Sequence, residues 1–198
     1  MNIKLTIPIK EEDIRKLKLG DIVYLTGIAY TARDEAHMRM LEKGCPVNLD
    51  EGVVFHCGPI MKKINDKWEI VAAGPTTSSR MNTLQPKVIE KFRIRGIIGK
   101  GGMDRNTLEA MGKYGCVYFA ITGGAAVLAA KGIESIENVY WLDLGMPEAL
   151  WMCRLKDFGP LVVAMDTNGN SIYADVDKKV QENLLIAEKK LGIINDKG

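Results

Sequence analysis

Apolar and polar residues alternate along "NIKLTIPI", the period-two rhythm of a strand, and the rhythm then changes to helical spacing in "KEEDIRKLKLG", ending at Gly20. "DIVYLTGIAY" predicts a second strand. "TARDEAHMRMLEKG" predicts a helix, with Thr31-x-x-Asp34 as a capping box and Gly44 as its stop. "GVVFHCGPIMKKINDKWEIVAAGP" has the pattern of paired strands around a polar turn at Asn65-Asp66. "LQPKVIEKF" follows as a helix, with Pro86 tolerable only in its first turn.

The second half continues in the same alternation. "IRGIIG" and "CVYFAIT" predict apolar strands, separated by "DRNTLEAMGKYG", a helix capped by Asp104. "GGAAVLAAKG" predicts a short helix of small residues. "NVYWLDLG" predicts a strand, and "PLVVAMDTNGNSIYADV" predicts a hairpin turning at Asn168-Gly169. "DKKVQENLLIAEKKLG" closes the chain as an amphipathic helix. Strand–helix units mixed with hairpins predict an α/β fold, a mixed sheet flanked by helices, in a single domain spanning residues 1–198. No repeat or low-complexity tract interrupts it.

Composition narrows the classes. Apolar residues are 46% and charged residues 26%, the balance of an ordinary globular chain, and a formal net charge of +2 gives no electrostatic reason to expect nucleic acid or an anionic membrane. The longest apolar candidate, "CVYFAITGGAAVLAA", is broken by Gly123-Gly124 and is too short to span a bilayer. The N-terminus lacks the continuous apolar region of a signal peptide, so the expected location is the cytoplasm. Cys45, Cys57, Cys116 and Cys153 contain no C-x-x-C pair. Two disulfides are arithmetically possible, but buried or free thiols are expected without a secretion signal. With His37 and His56 as the sole histidines, the chain carries no zinc or iron–sulfur signature of its own.

Three predicted strand-to-helix corners carry a cation beside glycines or hydroxyls. They are "TGIAYTARDEAH" with Arg33, "AAGPTTSSRMN" with Thr76, Thr77 and Arg80, and "IIGKGGMD" with Lys100. A helix start offers unpaired N–H groups and the positive end of a dipole, so a cation there needs a compensating negative charge. A bound anion with two carboxylates would supply it. Each corner also has a plainer reading: Arg33 pairing with Asp34 or Glu35, Arg80 and Lys100 in solvent, Thr76 and Thr77 as caps. "GKGGMD" fits neither a dinucleotide fingerprint, since Asp104 stands where its last glycine belongs, nor a Walker motif. His37 lies four residues after Arg33, on the same helical face, as a proton carrier or as a packed or capping residue. His56, inside an apolar strand, reads as structural. A threonine moves a proton only with a base nearby, and no residue here identifies that base.

Taken together, "LTGIAYTARDEAH", "AAGPTTSSRM", "IIGKGGM", "ITGGAAVLAA" and "LGMPEALW" resemble, in this order, the beta subunit of two-subunit class I fumarate hydratase. The same module resembles the C-terminal domain of the single-chain enzymes and the beta subunit of L(+)-tartrate dehydratase. The resemblance runs from about residue 1 to about residue 180. It implies a swivelling β/β/α domain and a hydro-lyase acting on a C4 dicarboxylate such as fumarate and (S)-malate. It further implies an alpha-subunit partner holding a [4Fe-4S] cluster, in an α2β2 hetro-oligomer by analogy. By the same resemblance Thr76 is the proton-transferring hydroxyl, Thr77, Arg80, Lys100 and Arg33 bind substrate carboxylates, and His37 is a catalytic candidate. Two other classes stay open on the residues themselves: a scaffold module that supplies only an interface, and an independent small-anion-binding protein.

Overall fold

The structure is a computed structural model and describes residues 2–121, 126–191 and 193. The first strands are β1 (Asn2–Thr6), β2 (Ile22–Thr31) and β3 (Val53–Phe55), followed by the hairpin of β4 (Ile60–Ile64) and β5 (Lys67–Ala72). β6 (Gly96–Gly99), β7 (Val117–Ala120), β8 (Ile133–Tyr140) and the long β9 (Leu150–Met165) complete the set. Between them lie α1 (Glu11–Ile14), α2 (Asp34–Lys43), α3 (Gln85–Phe92), α4 (Arg105–Tyr114) and α5 (Ala126–Lys131), and α6 (Ile172–Lys190) follows β9.

Seven strands form one sheet in the order β1-β2-β3-β6-β7-β9-β8, and a further pairing of β9 with β2 partly closes it into a barrel. β1, β2, β3, β6 and β7 run parallel, while β9 runs antiparallel to β2, β7 and β8. Alternate residues of the parallel strands serve two cores. Val53, Phe55, Ile98, Val117 and Phe119 join Val23, Trp151 and Phe158 on the face enclosed by the ring. Val54, Ile97 and Tyr118 face the other way, against Ala36, Met40, Val88, Ile89 and Met111 of α2, α3 and α4. Burial on both faces is why β3, β6 and β7 read as continuous apolar runs rather than alternating ones.

Several local expectations change. Thr31 does not cap α2: it ends β2, and its Oγ donates to the Ala149 carbonyl (3.3 Å) while accepting the Trp151 N–H (3.2 Å). Arg33 holds the N-cap position instead, and Gly44 stops the helix as read. α1 is one turn, short of Gly20. The chain does turn back at Asn168-Gly169, but the hairpin is cut to a single antiparallel bridge of Met165 with Ser171, and α6 follows where a second strand was expected. Asp166 gathers the N–H groups of Leu19, Asn168 and Asn170, and Ser171 then caps α6 by accepting the Ala174 N–H at 3.3 Å. "NVYWLDLG" also differs, because β8 starts earlier, at Ile133, and Leu142–Leu144 form a single 3₁₀ turn. Asp104 caps α4, accepting from both N–H and Oγ of Thr107. Thr122, Gly123 and Gly124 of the small-residue motif lie outside the described residues. Among the described residues no helix is long and apolar enough to cross a membrane.

Candidate active site

Because β2, β3 and β6 are parallel, their C-terminal ends meet at one edge of the sheet. Arg33 stands two residues beyond β2, His56 one beyond β3, and Lys100 directly after β6. The segment from Pro75 to Ser78 is stitched across these ends. Pro75 bridges Cys57, the Thr76 N–H donates to the His56 carbonyl (2.8 Å), Thr77 bridges Lys100, and the Ser78 N–H donates to the Lys100 carbonyl (3.0 Å). Thr76 and Lys100 are half-buried and Thr77 is exposed. The fold therefore brings Arg33, Thr76, Thr77, Arg80 and Lys100 to one place from three separate corners.

Two of the three cations already have carboxylates. Arg33 Nε lies 3.0 Å from Oε1 of Glu148, and the other oxygen of Glu148 accepts the Glu35 N–H at 3.1 Å. Glu148 thus serves as a distant cap for α2 and as the counter-charge that lets a guanidinium sit at a helix start. Arg80, in the 3₁₀ turn Ser78–Met81, places Nη2 2.8 Å from Asp34 Oδ2. The compensation expected from a bound anion at these two corners comes from the chain itself, and Arg33 pairs with Glu148 rather than with Asp34 or Glu35. Donors remain open even so. Among the described residues the Lys100 ammonium makes no ion pair, neither Nη of Arg33 makes a hydrogen bond, and no hydrogen bond reaches the Thr76 hydroxyl. Gly58 accommodates the Arg33 guanidinium: a Cβ there would lie 2.7 Å from Nη1 and 2.9 Å from Cδ.

His37 lies beneath this surface, fully buried. Its Nδ1 is 2.8 Å from the Arg33 carbonyl and its Nε2 is 2.9 Å from the side-chain amide of Gln85. His56, equally buried, reaches the same amide through Nε2 (2.9 Å) and Ser78 Oγ through Nδ1 (2.9 Å). Ser78 Oγ continues to the Tyr118 hydroxyl at 2.8 Å. Burial pushes both imidazoles below their ordinary value of 6.5, and His56 further down because His37 is beside it. Both rings are therefore neutral near pH 7, with each nitrogen engaged.

The cysteines do not fit a metal cluster. All four are free, and desolvation pushes the thiols of Cys57, Cys116 and Cys153 up, that of Cys153 to about 12, which disfavours the thiolate a metal needs. Among the described residues no group of three His, Cys, Asp or Glu side chains could hold a metal ion. A groove of about 740 Å³ between β5 and β8 shares no residue with the cationic edge. Glu148, Gln85, Ser78 and Tyr118 were not singled out as site residues from the sequence. Glu148 had a signal, a lone acid inside the motif "LGMPEALW"; Gln85 had none, since a polar residue in a helix's first turn ordinarily faces water.

The chain that folds into this partly closed mixed barrel belongs to the fumarase C-terminus family, whose model matches residues 1–176. Among individual relatives, the L(+)-tartrate dehydratase subunit beta of Escherichia coli K12 is 44% identical over 194 residues, covering 97% of this chain and 94% of that protein. A Methanocaldococcus jannaschii protein, provisionally named L(+)-tartrate dehydratase subunit beta, is 51% identical over 180 residues, covering 88% and 92%. A Geobacillus stearothermophilus protein provisionally named fumarate hydratase class I is 47% identical over 183 residues, covering 92% of this chain but 35% of that longer protein. These relatives are named as hydratases or subunits of dehydratases, that is, lyases.

Proposed function

We propose that the chain is the beta subunit of a hydro-lyase that adds and removes water across a C4 dicarboxylate, interconverting fumarate and (S)-malate. The observation that carries this reading is the set of open donors at the sheet edge, on Lys100, Arg33, Thr76 and Thr77, beside one another and above the buried His37–Gln85–His56–Ser78 hydrogen-bond network. Removing the proton next to a carboxylate builds negative charge on that carboxylate. Fixed cations at Arg33, Arg80 and Lys100 stabilise it, each charge-assisted hydrogen bond contributing about 1.5–3 kcal/mol. Thr77 adds a neutral donor to the same carboxylates, and the Thr76 hydroxyl carries the proton.

In this proposal an alpha subunit supplies what the described residues lack: the base that relays the Thr76 proton and a [4Fe-4S] cluster, in an α2β2 assembly. His37 acts through the Arg33 carbonyl, as a positioning residue. The second reading is dehydration of L(+)-tartrate to oxaloacetate, favoured by the names of the Escherichia coli and Methanocaldococcus jannaschii relatives, whose lengths this chain nearly spans.

Assaying the chain assembled with its alpha subunit against (S)-malate, fumarate and L(+)-tartrate separates these readings. Turnover of malate and fumarate above that of tartrate is the expected result, and the reverse order selects the second reading. No turnover of any of them, with dicarboxylate binding by the chain alone, would replace both with an anion-binding module.

A further inference from the structure

Gln85 opens α3 and has no exposed surface. His37 Nε2 and His56 Nε2 each lie 2.9 Å from one and the same terminal atom of its amide, and the two rings meet edge-on with centroids 5.2 Å apart. The chemistry of the outer contacts decides which end of the amide that is. The Arg33 carbonyl can only accept, so His37 carries its proton on Nδ1 and a neutral ring leaves Nε2 bare. Ser78 Oγ can accept or donate; as an acceptor it satisfies His56 in the same way, with Nδ1–H donating to it and Nε2 bare. Two bare nitrogens facing one atom need two N–H donors, and the –NH₂ end of Gln85 has two. Turned the other way, a carbonyl oxygen would require His37 to be a buried cation and would strand both N–H donors of the –NH₂ group on the far side, where no partner stands among the described residues; with the –NH₂ toward the rings, only the carbonyl oxygen is left there.

We propose that Gln85, by donating to both imidazoles, is the positioning residue that holds the Arg33 corner and the Thr76–Lys100 corner in register. His37 ties the amide to the Arg33 backbone. His56 ties it to the other corner twice over: its carbonyl accepts the Thr76 N–H, and its ring reaches Ser78, whose N–H donates to the Lys100 carbonyl. Gly99 leaves the room this requires, because a Cβ there would lie 2.1 Å from Ser78 Oγ and 2.7 Å from the Tyr118 hydroxyl. On the solvent side the corners are joined by the Arg80–Asp34 pair, in which Arg80 is half exposed, so the buried amide is the stiffer link. This deepens the hydro-lyase reading and rests on it for the catalytic consequence.

The chain has two histidines, so a long-range ¹H–¹⁵N spectrum of the full chain contains two imidazoles and no others. The expected result is two neutral Nδ1–H rings between about pH 5.5 and 8. In Gln85→Glu a carboxyl offers at most one O–H, so at least one ring must change tautomer or become protonated, which a packing role would not cause. The same variant should speed hydrogen exchange at the Thr76 and Ser78 amides by at least about tenfold. In the assembled enzyme it should lower kcat/KM for the dicarboxylate by about 10–100-fold. Gln85→Met, similar in length but without donors, should show the same exchange and kinetic losses while retaining its far-UV spectrum. An Nε2–H ring or an imidazolium in the unmutated chain overturns the proposal, as does Gln85→Glu with unchanged amide exchange. If the unmutated assembly turns over no dicarboxylate, the hydro-lyase reading fails while the ring and exchange results still decide the role of Gln85.

Discussion

The molecule has two regions rich in charge, and they use it differently. On the antiparallel strands, Lys62 pairs with Glu69, Arg154 with Glu137 and Lys156 with Glu134, each pair well exposed. Lys62 and Glu69 are direct cross-strand neighbours. Such pairs are satisfied locally, solvated and screened, and contribute little. At the edge where β2, β3 and β6 end, Arg33 and Glu148 are only 22% and 16% exposed, and Lys100 has no carboxylate among the described residues. There Arg33 and Arg80 are held by carboxylates from remote parts of the chain, Glu148 and Asp34, and donors are left over. A cation is therefore informative by what remains unspent on it rather than by its presence.

That contrast can be broken or sharpened by measurement, beginning with the largest effect. Thr76→Ala should cut kcat of the assembled enzyme by about 10²–10⁴-fold with subunit assembly intact, measured by steady-state kinetics beside size-exclusion chromatography. Near-normal rates would remove Thr76 from the chemistry. Lys100→Met should lower kcat/KM by about 10–100-fold, the loss of one charge-assisted contact, without lowering the unfolding midpoint. A lost midpoint with an unchanged kcat/KM would move Lys100 into the class of the surface pairs.

The buried support beneath the edge predicts a pH effect. Above the ordinary histidine value of 6.5 both folded and unfolded rings are neutral, and their contribution does not change with pH. Below it the unfolded chain takes up protons that the buried rings refuse, so stability falls as pH falls, until the depressed folded-state values are reached. The slope is at most about 1.4 kcal/mol per pH unit for each ring. Urea midpoints between about pH 7.5 and 5.5 test this; a flat profile would mean that the rings are not held neutral. Arg154 holds the Glu137 carboxyl below its usual range, so that pair stays ionised throughout the window. The smallest effect is the control: Arg154→Ala should leave kcat/KM unchanged and the unfolding midpoint within experimental scatter.

Much of the frame was legible because its causes are local. The β2, β3, β6 and β7 runs, the Asp104 cap, the Gly44 stop and Pro86 in the first turn of α3 depend on residues within about four positions of one another. So does the placing of Arg33 and Lys100 just beyond the ends of β2 and β6. The clearest failure came where a distant contact overrode local pattern: Thr31 has the spacing of a cap but is drawn into β2 by Ala149 and Trp151. At Asn168-Gly169 the turn was legible, and what differed was that Ser171 caps α6 after one antiparallel bridge, so no second strand follows.

What the sequence determined alone was the order of elements and the chemical types waiting at their corners. Tertiary structure decided which of those types meet, since closure of β9 onto β2 sets the neighbourhood of the segment that carries Glu148 to Arg33, and the packing of α3 delivers Gln85 between two histidines from different strand ends. The reason is physical. A helix or strand is specified by short-range periodicity, whereas a buried hydrogen bond or ion pair exists only when desolvation and geometry are both settled, and those are properties of the closed barrel rather than of any stretch of it.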